Sequence, residues 1–178
     1  MFKFLFLILL SPTFTSPSTL QWGARADSAP QISGFTHWYG SVNSTVVYGR
    51  KKTVDGLEVE LHLNYSNRIL TSASLYFGPS GIDTGNCFDV YLDVIESINK
   101  KYGHFIYKKE TEDPMGYDLV YDSKCKKVLI ELNQYIAYWK FKNISIEAWL
   151  YGDGDRILIS VDYIFMKSDK LNKIKKLL

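Results

Sequence analysis

The chain is poor in the residue types that mark most sites of chemistry. It has two cysteines and three histidines in 178 residues, which allows a single intramolecular disulfide and leaves only three candidates for a histidine base. No glycine spacing ends in Gly-Lys, which excludes the phosphate loop G-x-x-x-x-G-K-[ST], where backbone amides cradle phosphates and the lysine meets their charge. No apolar run approaches the ~20 residues that cross a bilayer; residues 4–10 make a run of seven.

An excess of one charge is also missing. The whole chain carries 21 basic and 19 acidic residues, and residues 27–178 carry 19 of each. Five lysines and one aspartate lie in 167–178, leaving 14 basic and 18 acidic residues in 27–166. Nucleic-acid binding needs clustered positive charge, so a net negative body argues against it.

What is there begins with a leader. Lys3, the apolar run, a Pro- and Ser-rich stretch and the small residues Ala24 and Ala26 in an A-x-A arrangement read as a secretory signal cut after Ala26. The division expected is residues 1–26 as a removed signal, 27–166 as a single domain and 167–178 as a basic tail, with the protein secreted or periplasmic. In an exported chain, two cysteines are most economically one disulfide, Cys87 to Cys125.

From Phe35 onward the pattern is mostly of strands. "FTHWYGS" and "STVVYG" are short, aromatic and β-branched. "LEVELHLNY" alternates strictly, with Leu57, Val59, Leu61, Leu63 and Tyr65 on one face and Glu58, Glu60, His62 and Asn64 on a wet one. "SNR" turns it into "ILTSASLYF", completing a hairpin. "HFIYKK" and "YDLVYDS" read as strands, and "ISIEAWLYG" and "RILISVDYIF" form another hairpin around "DGD". Residues 124–134 fit either helix or strand, with a short helix or turn passing into a strand by Ile136 as the favoured reading.

The period changes after "GPSGIDTGNC". Phe88, Tyr91, Leu92, Ile95, Ile98 and Tyr102 recur at three and four, predicting a helix over about 87–102. Asn86 is placed to cap it, Asp89 to support the cap, and Gly103 to stop it. The fold class expected is α+β: a mainly antiparallel sheet of about six to eight strands with one principal helix packed on one face.

Three chemical readings of this region compete. A cysteine phosphatase loop needs an arginine soon after Cys87, and none follows up to Asp93. A thiol hydrolase would use Cys87, activated at the first helical turn, with His62 or His104 as base, although Asp89 and Asp93 oppose a thiolate. A disulfide makes the loop an ordinary path from hairpin into helix. Elsewhere, Glu58 and Glu60 read as solvated strand carboxylates rather than a glycosidase pair. "YGDGDR" lacks the further oxygen ligands of a calcium loop and reads as a turn. No metal or cofactor is expected.

The chain is rich in aromatics, with 13 tyrosines and four tryptophans. Tyr138, Trp139, Phe141, Trp149 and Tyr151 crowd two neighbouring strands, and one helix cannot cover both faces of a sheet, so these five are the candidate partner-binding residues. Lys170, Lys173, Lys175 and Lys176 surround an apolar stripe in the tail and are candidates for contact with an anionic membrane surface. Asn43, Asn64 and Asn143 begin N-x-[ST] and are glycan acceptors only in a eukaryotic secretory route. The leading expectation is a small exported, non-catalytic, disulfide-stapled domain that binds a protein or envelope component. The rivals are a thiol-dependent hydrolase using Cys87 and a membrane-surface protein docking through its tail.

Overall fold

The computed structural model describes residues 20–49, 57–111, 124–130 and 134–165. Strands β1 (Thr36–Gly40), β2 (Thr45–Gly49), β3 (Val59–Ser66) and β4 (Ile69–Phe77) form a first antiparallel meander. Helix α1 (Cys87–Tyr102) follows. Strand β5 (Tyr107–Thr111), helix α2 (Lys124–Leu129) and strands β6 (Gln134–Lys140), β7 (Ile144–Asp153) and β8 (Arg156–Phe165) complete the chain.

The two meanders join in the middle, giving one eight-stranded antiparallel sheet in the order β1-β2-β3-β4-β8-β7-β6-β5. The crossover from the centre at β4 to the far edge at β5 is the connection that carries α1. Hairpin turns are short where the sequence supplies suitable residues. Asn67 and Arg68 both take positive φ (52° and 64°) between β3 and β4, the backbone a two-residue turn of the right twist requires. Asp153 faces Arg156 across the turn of "DGD".

Strand alternation separates two faces. Val59, Leu61, Leu63 and Tyr65 of β3 are buried in the core, while Glu60, His62 and Asn64 are half-buried on the opposite side. The same parity puts Ile157, Ile159, Val161 and Tyr163 of β8 inward and Ser160 and Asp162 outward. Helix α1 lies on the inward face, where Tyr91 Oη donates to Ala148 O of β7 (3.3 Å).

The expectation of one principal helix holds only in part. Eight strands at ~4.8 Å spacing make a sheet far wider than the ~10 Å of one helix. The rest of the covered face is closed by α2, packed against β7 and β8, and by a strap of irregular chain, residues 20–35. Leu20, Trp22, Ala26, Ala29, Ile32 and Phe35 of that strap all pack on the core. Ala26 N–H bonds to Arg68 O (2.8 Å), and Tyr48 Oη donates to Pro30 O (2.6 Å). Leu20, Trp22 and Ala26, which the sequence pattern places in the leader, pack on this core in the uncleaved chain.

Two details of α1 also differ. Asn86 makes no side-chain cap bond; instead Asp83 Oδ1 accepts Gly85 N–H one turn earlier (3.0 Å). The buried stripe is Cys87, Val90, Tyr91, Val94, Ile95 and Ile98, with Leu92 exposed. The stop is as expected: Gly103 has φ 87° and gives its N–H to Asn99 O. The ambiguous segment resolves as α2 followed by β6 from Gln134. "YDLVYDS" lies outside the described residues.

Cys87 and Cys125 are joined in a disulfide, with Cα atoms 5.9 Å apart, and pin the start of α1 to α2. Both are buried. Closing a loop of 38 residues stabilises the fold by about 4 kcal/mol on the chain-entropy estimate. The glycine loop ahead of Cys87 is tied by its own backbone, with Gly81 N–H to Gly78 O (2.7 Å) and Ile82 N–H to Ile157 O (3.0 Å).

Candidate functional site

The outward face of the sheet has no helix over it among the described residues, and register fixes what stands on it. One row across five strands reads Gly49, Glu60, Tyr76, Ser160, Trp149 and then Ile136 on a sixth. The next row reads Val47, His62, Ser74, Asp162, Glu147 and Tyr138. In the first row Ser160 of the central strand β8 therefore lies between Tyr76 of β4 and Trp149 of β7. The result is a shallow depression of about 320 Å³ lined by Tyr76, Gln134, Trp149, Tyr151, Ser160 and Asp162.

Its electrostatics are acidic. Asp162 Oδ2 accepts a hydrogen bond from Ser160 Oγ (3.1 Å). Burial raises the carboxyl pKa above its ordinary value, against hydrogen bonds from Ser74 and Ser160 and the charge of His62, which lower it. Tyr151 is pushed up to about 12 by burial first, then by Tyr76 and the negative field of Asp162 and Asp153. Glu147 Oε2 accepts the Trp149 indole N–H (3.2 Å). Glu60 Oε2 lies 2.9 Å from His62 Nε2, and the His62 ring lies tilted against that of Tyr76, with centroids 4.7 Å apart. Among the described residues no lysine or arginine lines the depression; Arg156, at the nearby turn, pairs with Asp153 (2.7 Å).

A further aromatic joins the face at its edge. Trp38 is the bulged residue of β1, and its ring lies over Gly49, where an added Cβ would fall 1.4 Å from a ring carbon. Only glycine leaves that space.

The five aromatics singled out from sequence do not form one surface. Tyr138, Trp149 and Tyr151 stand half-buried on the outward face. Trp139 does not: its ring is 1 % exposed beneath α1, with its indole N–H shared between Asn99 Oδ1 (3.2 Å) and Gly103 O (3.0 Å). A side chain so enclosed meets no partner. Phe141 has the same parity, and its ring lies 5.7 Å from Tyr102 at the end of α1, away from Trp149. Sequence reasoning missed Tyr76, Asp162 and Trp38; the first two were marked by strand alternation, the third by nothing beyond its type.

The thiol reading is overturned by the disulfide, because Cys87 has no free sulfur to attack with. His62 sits on the face opposite Cys87, paired to Glu60, and His104 is exposed just beyond α1. Glu58 accepts from Ser80 Oγ and is not paired with Glu60. Asn64 is bound on both sides, accepting from Thr45 Oγ1 (2.9 Å) and donating to Ser72 Oγ (3.0 Å), whereas Asn43 and Asn143 are exposed. Lys170, Lys173, Lys175 and Lys176 lie outside the described residues. No protein-family model, curated protein or solved structure matches this chain.

Proposed function

We propose that the chain is an exported, non-catalytic binding protein that takes its partner on the outward face of the sheet, around Tyr76, Trp149 and Tyr151. The observation that carries this reading is the Tyr76–Ser160–Trp149 row, which holds two large aromatics apart over a small floor and beside a half-buried carboxylate. Rigid aromatic surface with polar edges contributes binding energy at low entropic cost. A carboxylate kept where burial disfavours its charge is a feature of sites more than of scaffolds. The disulfide supports export, since such bonds persist in oxidising compartments.

The test is capture from an envelope or secreted extract by the wild-type protein, by the double variant Trp149→Ala/Tyr151→Ala, and by Leu92→Ala on the exposed side of α1. Near-ultraviolet circular dichroism checks the fold of each. Loss of capture in the double variant alone is expected. Equal capture by all three would overturn the reading.

A further inference from the structure

We infer that the depression between Tyr76 and Trp149 takes a primary alkylammonium group of the lysine side-chain type, with the ammonium on Asp162 and the alkyl stem between the two rings. This rests on the reading of the outward face as a binding surface and names the chemistry it selects.

The geometry comes from register. Tyr76 and Trp149 both face Ser160 from neighbouring strands, so their Cα atoms stand about 10 Å apart, two strand spacings. The rings rising from those positions flank the depression over Ser160. Tyr151, two residues along β7 from Trp149, closes one end. A cation held near ring faces within about 6 Å of their centroids is attracted by the ring quadrupoles.

The floor supplies acceptors. Ser160 Oγ donates to Asp162 Oδ2 and the Ser74 side chain also hydrogen-bonds the carboxylate, which with about four lone-pair sites keeps acceptor capacity for a donor from outside. A primary ammonium has three donors, which a carboxylate oxygen and a serine hydroxyl are of the type to accept. Charge points the same way. Glu147 and Glu60 flank the slot in register, and His62 is held by Glu60. Of the bases among the described residues, Arg156 is engaged by Asp153 and by Pro79 O (3.1 Å), Lys140 stands at the end of β6 opposite Ser145, beyond the slot, and Lys109 of β5 is in register with Ile136, two strands away from Trp149. Burial first, and after it the negative field that includes Asp162, raises Tyr151 and Tyr76; a bound cation would offset only the second.

The experiment uses the full chain and the indole N–H resonance of Trp149, assigned with Trp149→Phe. Three probes are titrated at constant ionic strength: Nα-acetyl-lysine amide, its Nε-acetylated analogue, which lacks the charge, and a neutral disaccharide. The result expected is a saturable shift with the first probe, at least about tenfold weaker binding of the second, and about tenfold weaker binding of the first to Asp162→Asn. Equal binding of the charged and acetylated probes, no loss in Asp162→Asn, or no shift by the first probe up to about 100 mM, far above a specific site's range, would overturn the inference. A shift by the disaccharide alone would also overturn it while leaving the face a binding surface. Failure of the broader reading shows separately, in capture that ignores Trp149 and Tyr151.

Discussion

The indole of Trp22 lies stacked on the ring of Phe165, with centroids 6.0 Å apart and planes 21° from parallel. This contact joins the strap to the last described residue of β8 and covers the core beside Leu70, which Trp22 also meets through a backbone bridge. Trp22→Ala is therefore expected to destabilise the fold by about 2–3 kcal/mol, read as a fall in urea midpoint at unchanged slope. By the same logic, a chain cut after Ala26 would lose Leu20 and Trp22. Under the proposed export, N-terminal sequencing of the mature chain is expected to find the cut ahead of Leu20.

Asp162 gives a pH signature. Burial raises its folded pKa above the ordinary 3.8, so the ionised form costs stability in the folded state at neutral pH. The contribution that favours folding is present in full below the unfolded value and is lost as pH rises through the folded one. Asp162→Asn removes the cost. Unfolding midpoints should rise in the variant at about pH 7, and the gain should vanish at about pH 3, where the carboxyl is protonated in both states. A gain that persists undiminished at the lower pH would contradict the assignment.

The disulfide is expected to contribute a substantial share of the stability of a domain this size, which is of order 5–15 kcal/mol. Cys87→Ser/Cys125→Ser, or reduction under mild denaturant, should cost about 4 kcal/mol. Intact mass after alkylation should show no labelled thiol in the unreduced wild type.

Two tryptophans ten residues apart should behave oppositely. Trp139→Phe deletes the donor to Gly103 O and Asn99 Oδ1 and is expected to cost about 1–3 kcal/mol of stability with partner capture intact. Trp149→Ala should leave stability within about 1 kcal/mol, as for a partly exposed side chain, and abolish capture. Chemical denaturation and capture on the same two variants decide it.

That contrast also shows how far the sequence could be read. Strict alternation in "LEVELHLNY" placed Glu60 and His62 on the wet face without help from the fold, and the 3.6-residue period placed α1 within its observed bounds. Trp139 and Trp149 were not separable that way. Each lies in an alternating run, and which face each takes depends on how the link at 141–143 sets the register, pairing Trp139 with Ile146 and Trp149 with Ile136. A one-residue slip would exchange the faces. The strap carries no period at all, so its role as cover was invisible until the width of the sheet demanded one. Trp38 over Gly49 depends on a bulge, which local pattern does not announce.

The central claim is that the outward face binds the partner, and hydroxyl-radical footprinting of the captured complex addresses it most directly. Oxidation of Tyr76, Trp149 and Tyr151 is expected to fall in the complex relative to the free protein, while Leu92 and Ile106, exposed elsewhere, stay unchanged. Protection of Leu92 or Ile106 with the three aromatics still fully oxidised would contradict it.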